Sequence, residues 1–264
     1  MEKIKGEIVM EFGLNLYSLR GQIKTEEDFL NTLLRLKEMG YSYVQLSGRP
    51  VDGEIAKRVS EKAGMPIVLT HSPIARIKDD TENLVKDHSA FNCVRVGLGG
   101  YVNNANIPEE EKRQQIKDLQ EFAEKVNKFG AKFYYHNHHF EFVKLSDGLT
   151  VYDHIILECP DVNLIMDTYW LQMGGVDIIE YVRKAKGRID CVHLKDYEVT
   201  FDENAQFKAK FAPIGDGNIN FKKIIPEMVK AGVKYFLVEQ DDATTYDDPF
   251  KQVERSIKYL KTNF

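Results

Sequence analysis

Residues 133–142 read FYYHNHHFEF, and this stretch concentrates side chains that bind metals and move protons. Three of the seven histidines of the chain lie in it, beside an asparagine and a glutamate, directly after an apolar run. A buried strand requires no such cluster. Imidazole and carboxylate groups at this density are typical of a divalent metal site or of acid–base catalysis.

Residues of the same chemical types follow apolar runs elsewhere in the chain, roughly one strand-and-helix unit apart. They are Gln45, His71, His136 with His138, Asp167, His193 and Glu239. Side chains two positions apart in a strand share a face, so His136 and His138 should point the same way, as should His193 and Lys195.

Each of these residues, taken alone, has a common structural role that involves neither a metal nor catalysis. A strand-end aspartate usually caps the next helix, and a lone histidine is usually a hydrogen-bonded polar residue. Four such residues at four successive strand ends are harder to explain in this way. The set His136, Asp167, His193 and Glu239 therefore predicts a site for one divalent cation, Mn²⁺, Co²⁺, Zn²⁺ or Mg²⁺.

Eight apolar, β-rich runs would position these side chains. They lie at 12–19, 41–48, 65–71, 93–100, 132–138, 162–168, 189–196 and 234–241. Most are apolar throughout, as is typical of parallel strands covered on both faces, and helical patterns lie between them. This alternation predicts a single α/β domain over residues 1–264, a (β/α)8 barrel with its active site at the C-terminal strand ends. An open doubly wound sheet is the alternative, but no GxGxxG follows the first strand.

The composition narrows the class of protein. The chain has 264 residues, of which 43% are hydrophobic and 29% charged, and its net charge is −5, so nucleic acid is not an expected partner. Its three cysteines, Cys93, Cys159 and Cys191, are far apart and predict reduced core residues of a cytoplasmic protein. The N-terminal stretch MEKIKGEIVMEFG predicts neither a signal peptide nor a membrane helix.

The motifs YHNHHFEF, MDTYW, HLKD, PIGDGNINF and VEQD, in this order, resemble the xylose isomerase-like TIM-barrel superfamily. More closely, they resemble its sugar phosphate isomerase/epimerase branch, which includes inosose dehydratase-like proteins and ketose 3-epimerases. The resemblance implies one divalent metal bound by Glu, Asp, His and Glu from strands five to eight. Asp167, His193 and Glu239 match the last three positions. His136 stands near the first, and Glu141 is the alternative ligand there or, by resemblance to the epimerases, a substrate contact.

The resemblance also implies a sugar or cyclitol substrate whose α-hydroxyketone loses a proton to give an enediolate. Glu239 is the first candidate for the base. Lys195 would stabilise the enediolate or donate a proton, unless it only pairs with Asp196 or Asp241. His138 would bind a substrate hydroxyl or orient a metal ligand.

The remaining candidates line the walls of the predicted site. Trp170 would stack on a sugar face or lie in the core, His139 should point away, and Tyr17, Gln45 and His71 would line the opposite wall.

The long segment 197–218 contains EVTF and FKAKFAP, which could pair as a hairpin and act as a lid. GDGN, before the helix near Asn220, is a place where phosphate can bind, but Asp216 argues against phosphate and favours a neutral substrate.

Four functions remain open. The first is a metal-dependent sugar isomerase or epimerase, and the second is a lyase of the inosose dehydratase or keto-glycoside-cleaving type. An apurinic endonuclease-like enzyme and a non-catalytic sugar-binding barrel are less favoured. The sequence does not decide whether the chain forms a homo-oligomer.

Overall fold

The computed structural model describes residues 10–101 and 106–264. The interpretation of the N-terminal stretch falls mainly on residues 1–9, which lie outside the described residues. Within the described ranges, no helix combines the length and apolarity needed to cross a membrane.

Eight parallel strands close into a barrel. They are β1 Phe12–Asn15, β2 Tyr43–Leu46, β3 Ile67–His71, β4 Arg95–Leu98, β5 Lys132–His136, β6 Asn163–Asp167, β7 Cys191–Leu194 and β10 Tyr235–Val238. Around the barrel they follow the order β1-β10-β7-β6-β5-β4-β3-β2. The alternative of an open sheet is wrong, because β1 pairs with both β2 and β10. The fold is the predicted (β/α)8 TIM barrel.

Helices follow the strands and cover the outer face of the barrel. Helix α1 begins with the predicted capping box, in which Thr25 and Asp28 bond each other's backbone, and it ends at a left-handed Gly40. The helices are α1 Glu26–Met39, α2 Gly53–Ala63, α3 Ile74–Asp79, α4 Thr81–Ala90, α5 Glu109–Lys128, α6 Val151–Glu158, α7 Thr168–Met173, α8 Ile178–Lys184, α9 Phe221–Ala231 and α10 Pro249–Asn263.

The interior of the barrel is layered because alternate strand residues point inward. A buried apolar cluster separate from the main core contains Tyr43, Val68, Leu69, Tyr134, Ile165, Cys191 and Leu237. Two residues further along their strands stand Gln45, His71, His136, Asp167, His193 and Glu239. The apolar layer thus forms the floor beneath a polar layer at the C-terminal mouth. Gly13 makes room for this floor, since a Cβ there would overlap the Tyr43 ring.

The predicted hairpin is present after β7. Strands β8 Asp196–Phe201 and β9 Phe207–Ala212 pair antiparallel, with Val199 opposite Ala209 and Phe201 opposite Phe207. The hairpin leaves the barrel at its C-terminal mouth, immediately after Lys195.

Candidate metal centre

Four buried side chains meet at the C-terminal mouth: His136, Asp167, His193 and Glu239. Each offers one potential ligand atom, and these four atoms lie within 4.8 Å of one another. They come from the ends of β5, β6 and β7 and from the residue after β10. The strand ends therefore bring together the four residues that the sequence singled out.

His193 is oriented by Gln45. The Nε2 atom of His193 lies 2.7 Å from Oε1 of Gln45, whose amide nitrogen donates to Ser47. Because a carbonyl oxygen only accepts, Nε2 carries the proton, and in the neutral ring Nδ1 presents a lone pair. Gln45 was expected to contact substrate, but the structure places it behind His193 instead.

His136 is oriented in a similar way. Its Nδ1 lies 3.4 Å from the carbonyl oxygen of Gly99, and its Nε2 lies 3.4 Å from Oδ2 of Asp167. Burial lowers the pKa of His136 well below its ordinary value. A neutral imidazole is the form of histidine that binds a metal.

Each carboxylate divides its oxygens between a fixed partner and the centre. Oδ1 of Asp167 accepts from the Trp170 amide at the start of α7, while Oδ2 faces the histidines. Asp167 is thus a helix cap as well as a candidate ligand. Oε1 of Glu239 accepts from Asn15 at 2.7 Å, and Oε2 lies 2.9 Å from Nδ1 of His193.

These residues fit a bound cation. Nδ1 of His193 and Oε2 of Glu239 are buried, and neither has a hydrogen-bond partner of suitable geometry although they are so close. A lone pair and a carboxylate oxygen that face each other without a shared proton repel, and a cation between them would remove the repulsion. The nitrogen and oxygen donor set suits Mn²⁺, Co²⁺, Zn²⁺ or Mg²⁺.

Glu141 lies outside this group. Its carboxylate accepts from the Tyr135 hydroxyl at 2.6 Å and from the His138 amide at 2.8 Å, and the side chain is fully buried. Burial raises the pKa of Glu141 to about 8. The short 3₁₀ turn Phe140–Phe142 carries Glu141 onto the tyrosine rather than toward Asp167, so the structure brings His136 into the group in its place.

Lys195 is buried among carboxylates. Its Nζ lies 3.3 Å from Asp167 Oδ2, 3.2 Å from Glu239 Oε2 and 3.0 Å from Asp241 Oδ1. Burial alone would lower the pKa of Lys195, but the three carboxylates outweigh burial and raise it. Lys195 therefore places a positive charge among the carboxylates of Asp167, Glu239 and Asp241.

The expected partner Asp196 does not pair with Lys195. Its carboxylate instead accepts from the backbone amides of Gly215, Gly217 and Ile219. Two of these amides belong to the GDGN segment where phosphate was considered, and the third directly follows it. The anion-binding loop is thus filled by a carboxylate of the chain itself, and Asp216 pairs with Arg255 on the surface.

A cavity of about 330 Å³ opens above the group. Two of the predicted wall residues, Tyr17 and His71, line it. So do His138, Lys195, Glu239 and Asp241. Burial lowers the pKa of His138 to about 3 and that of His71 well below its ordinary value. Burial raises the pKa of Asp241 to about 6 despite the neighbouring Lys195.

Trp170 belongs to an aromatic wall beside the cavity. Its ring lies 5.1 Å from His138 and 5.2 Å from the exposed His139, and the Lys195 ammonium lies 5.2 Å from it. Phe211 of the hairpin lies 6.4 Å away. The predicted outward direction of His139 agrees with its exposure, although its ring stacks on Trp170.

Sequence reasoning missed Asn15. Asn15 is the last residue of β1 and is completely buried, yet it bonds Glu239. Its signal was a polar residue at the end of the first apolar run. Asp241 was expected as one of two possible ion-pair partners of Lys195, and it forms that pair and also lines the cavity.

Comparisons with known proteins identify relatives of the chain. The sequence is 27% identical over 177 residues to an inosose dehydratase from Clostridium perfringens. The matched region covers 62% of this chain and 57% of the relative. The match thus spans little more than half the length of the relative.

Solved structures share the fold. A sugar phosphate isomerase/epimerase from Parabacteroides distasonis superposes with a TM-score of 0.78 at 20% identity, over 98% of this chain and 96% of that one. A xylose isomerase-like TIM barrel protein from Mycobacterium smegmatis in complex with magnesium gives 0.68 at 14% identity, over 96% of each chain. The sequence profile of the xylose isomerase-like TIM barrel family matches residues 33–263, and the chain therefore belongs to that family.

Proposed function

We propose that the protein is a divalent-metal-dependent isomerase or epimerase of a keto-sugar or keto-cyclitol, acting through an enediolate. The observation that carries the proposal is the group His136, Asp167, His193 and Glu239 with the Lys195 ammonium 3.2 Å from Glu239. The magnesium complex of a structural neighbour supports the choice of a divalent cation.

His136, Asp167, His193 and Glu239 would hold the metal. When bound, it would supply Lewis acidity that lowers the pKa of the substrate C–H bond beside the carbonyl. Gln45, Asn15 and the Gly99 carbonyl would keep the ligand atoms aimed at the centre.

The other side chains would move and stabilise charge. Glu239 is the proposed base because its carboxylate lines the cavity where the substrate would bind. Lys195 would stabilise the negative oxygen of the enediolate, and burial strengthens this interaction by excluding water. His138, which is neutral and has a buried unpartnered Nδ1, would accept from a substrate hydroxyl.

The substrate is proposed to be uncharged. The loop that could have bound a phosphate is filled by Asp196. In the cavity lining the positive charge of Lys195 is already matched by carboxylates. Among the described residues that line the cavity, Lys195 is the one lysine or arginine that could pair with a phosphate.

A lyase reaction is the second candidate, because the Clostridium perfringens relative is an inosose dehydratase. The same enediolate would then lose a β-hydroxyl group instead of regaining a proton.

Incubation of the Mn²⁺-loaded protein in D₂O with D-fructose and with 2-keto-myo-inositol separates the candidates. Solvent deuterium at a substrate carbon, without other change in mass, is expected for an isomerase or epimerase, and loss of water for a dehydratase. Absence of both, in the wild type as in Glu239→Gln, would contradict the proposal for these substrates.

A further inference from the structure

One buried hydroxyl group holds the backbone at the point where the barrel becomes the hairpin. Lys195 lies between β7 and β8 and is almost completely buried, as is Thr168 at the start of α7. The Thr168 hydroxyl accepts from the Lys195 amide at 2.9 Å and donates to the Lys195 carbonyl oxygen at 2.8 Å. The carbonyl oxygen of His193 is farther from it, at 3.4 Å. Both backbone groups of Lys195 are therefore bonded to one side chain.

The end of β6 explains why a side chain makes these bonds. Asp167 lies opposite His193 in the β6–β7 register, and the chain turns into α7 at the next residue. The carbonyl oxygen of Leu194 accepts from Glu239 on the β10 side, so the backbone groups of Lys195 face the β6 side. The β6 backbone has turned away there, and the Thr168 hydroxyl replaces the bonds that a longer strand would have made.

The same turn of α7 also contacts the other end of Lys195. The ammonium nitrogen lies 3.3 Å from Oδ2 of Asp167 and 5.2 Å from the centroid of the Trp170 ring. It lies 3.2 Å from Oε2 of Glu239 and 3.0 Å from Oδ1 of Asp241. Because the stem of a lysine is flexible, the position of its ammonium depends on where its Cα is held.

We infer that Thr168 is a positioning residue that acts through Lys195. Its hydroxyl holds the Lys195 backbone so that the ammonium stays between Asp167, Glu239 and Asp241. It also keeps Lys195 from following movements of the hairpin, which begins at the next residue. This inference rests on the proposed function, because that function is what gives the Lys195 ammonium a role in the reaction.

A double-mutant cycle in the metal-free protein tests the positioning without turnover. Valine has nearly the shape of threonine, so Thr168→Val removes the hydroxyl and little else. Urea unfolding in excess chelator gives the unfolding equilibrium constants of wild type, Thr168→Val, Lys195→Met and the double variant. The effect of Thr168→Val should be about fivefold or more larger in the presence of Lys195 than in the Lys195→Met background, because only a displaced ammonium loses ion pairs.

Two further variants show that the hydroxyl, and this hydroxyl, is responsible. Thr168→Ser keeps a hydroxyl at the same place and should behave like wild type. Thr81→Val is the matched control, since Thr81 is also buried and its hydroxyl donates to the Ile77 carbonyl oxygen at 2.6 Å. Thr81→Val should change the unfolding equilibrium equally in both backgrounds.

The Mn²⁺-loaded variants test the role in the reaction, with D-fructose and 2-keto-myo-inositol as substrates. Thr168→Val should lower kcat by about tenfold and leave KM within about twofold, because a misplaced charge stabilises the transition state less without changing substrate binding. Thr168→Ser should restore kcat, and Thr168→Val should have no further effect on kcat in the Lys195→Met background. Titration should give an Mn²⁺ affinity of Thr168→Val within about twofold of wild type.

The outcomes separate the two proposals. An equal effect of Thr168→Val on unfolding in both backgrounds would overturn the inference, and so would a lowered kcat in Lys195→Met with an unchanged kcat in Thr168→Val. A large loss of Mn²⁺ affinity in Thr168→Val would also overturn it, because the hydroxyl would then act through Asp167. Absence of turnover in wild type would contradict the proposed function for these substrates, and the unfolding cycle would still decide whether Thr168 positions Lys195.

Discussion

Asp167 has two roles because it has two oxygens. One satisfies an amide at the start of α7, and the other faces the histidines of the proposed metal centre. The same division between a fixed partner and the centre recurs at His193 with Gln45 and at Glu239 with Asn15. Such partners hold ligand atoms in position before a metal arrives, which reduces the entropy lost on binding.

Asp167→Asn separates the two roles of this residue. Asparagine still caps a helix, so the fold should remain, but the loss of a charged ligand atom should lower Mn²⁺ affinity by on the order of 10–100-fold or more. Metal analysis of the purified protein and titration with Mn²⁺ measure the effect. Asp177→Asn is the control, because Asp177 caps α8 in the same way outside the group of four. Equal metal content in both variants would remove Asp167 from the ligand set.

Lys195→Met tests the charge in the centre. Methionine keeps most of the stem volume and removes the ammonium group, so turnover should fall by on the order of 10²-fold while bound metal is retained. The metal-free variant should also melt at a lower temperature, because Asp167, Glu239 and Asp241 lose their shared cation.

The two readouts for Lys195→Met must be taken on one preparation. Unchanged turnover per folded molecule together with a lower melting temperature would leave Lys195 as an ion-pair partner only, and the catalytic role would be lost.

At the scale of elements, the β8–β9 hairpin has two unlike faces. The cross-strand pairing places six apolar residues on one face and polar residues on the other. The base of the apolar face packs on Tyr169 through Tyr197 and Phe211, whereas its tip is exposed, with 68% of Phe201 and 56% of Phe207 accessible. An exposed apolar tip on a hairpin that leaves the barrel at its C-terminal mouth fits the predicted lid, which would bury these rings on closure.

The double variant Phe201→Ser/Phe207→Ser tests that role. Loss of two rings that are buried only in the closed form should weaken substrate binding by about tenfold and leave the melting temperature unchanged. Titration with the substrate identified in D₂O measures the affinity. Lys208→Ser, on the polar face, is the control and should bind like wild type. Equal behaviour of the two variants would rule out closure through the apolar face.

At the scale of the whole molecule, the barrel was predictable because its strands are covered on both faces and its helices carry ordinary caps. Strand parity also predicted which residues would converge, since it holds wherever the chain is regular. His136, Asp167 and His193 are the last inward residues of their strands or one position before the end. Their convergence follows from the closure of the barrel alone.

The alternation of side chains predicts their direction only within a regular strand. The contacts that the sequence did not predict lie beyond the strand ends. Glu141 is five residues past the end of β5, in a turn whose direction depends on the Tyr135 hydroxyl that it accepts from. Its place next to Lys195 in the sequence suggested Asp196 as an ion-pair partner. In the structure the amides of the following loop donate to the Asp196 carboxylate instead. Such contacts depend on loop conformation, and no repeating pattern of residues in the sequence predicts it.

A buried histidine outside the metal centre couples the stability of the whole barrel to pH. The His88 ring joins α4 to β3: its Nδ1 lies 2.7 Å from the Leu84 carbonyl oxygen and its Nε2 lies 2.8 Å from the Thr70 hydroxyl. Burial lowers the pKa of His88 from 6.5 to about 4. Between these values the unfolded chain binds more protons than the folded chain, so the free energy of unfolding rises with pH and falls as the solution is acidified.

Acidification from about pH 6.5 to about pH 4 should therefore remove up to about 3 kcal/mol of stability through His88 alone. His88→Gln cannot titrate, so its free energy of unfolding should be lower at pH 7 but should decline less steeply toward pH 4. Urea unfolding in excess chelator, at half-unit steps of pH, measures the slope without a contribution from bound metal. His139→Gln, at an exposed position, should keep the wild-type slope. Parallel curves for wild type and His88→Gln would show that His88 is protonated equally in the folded and unfolded chains, and the acid sensitivity would then have to arise elsewhere in the barrel.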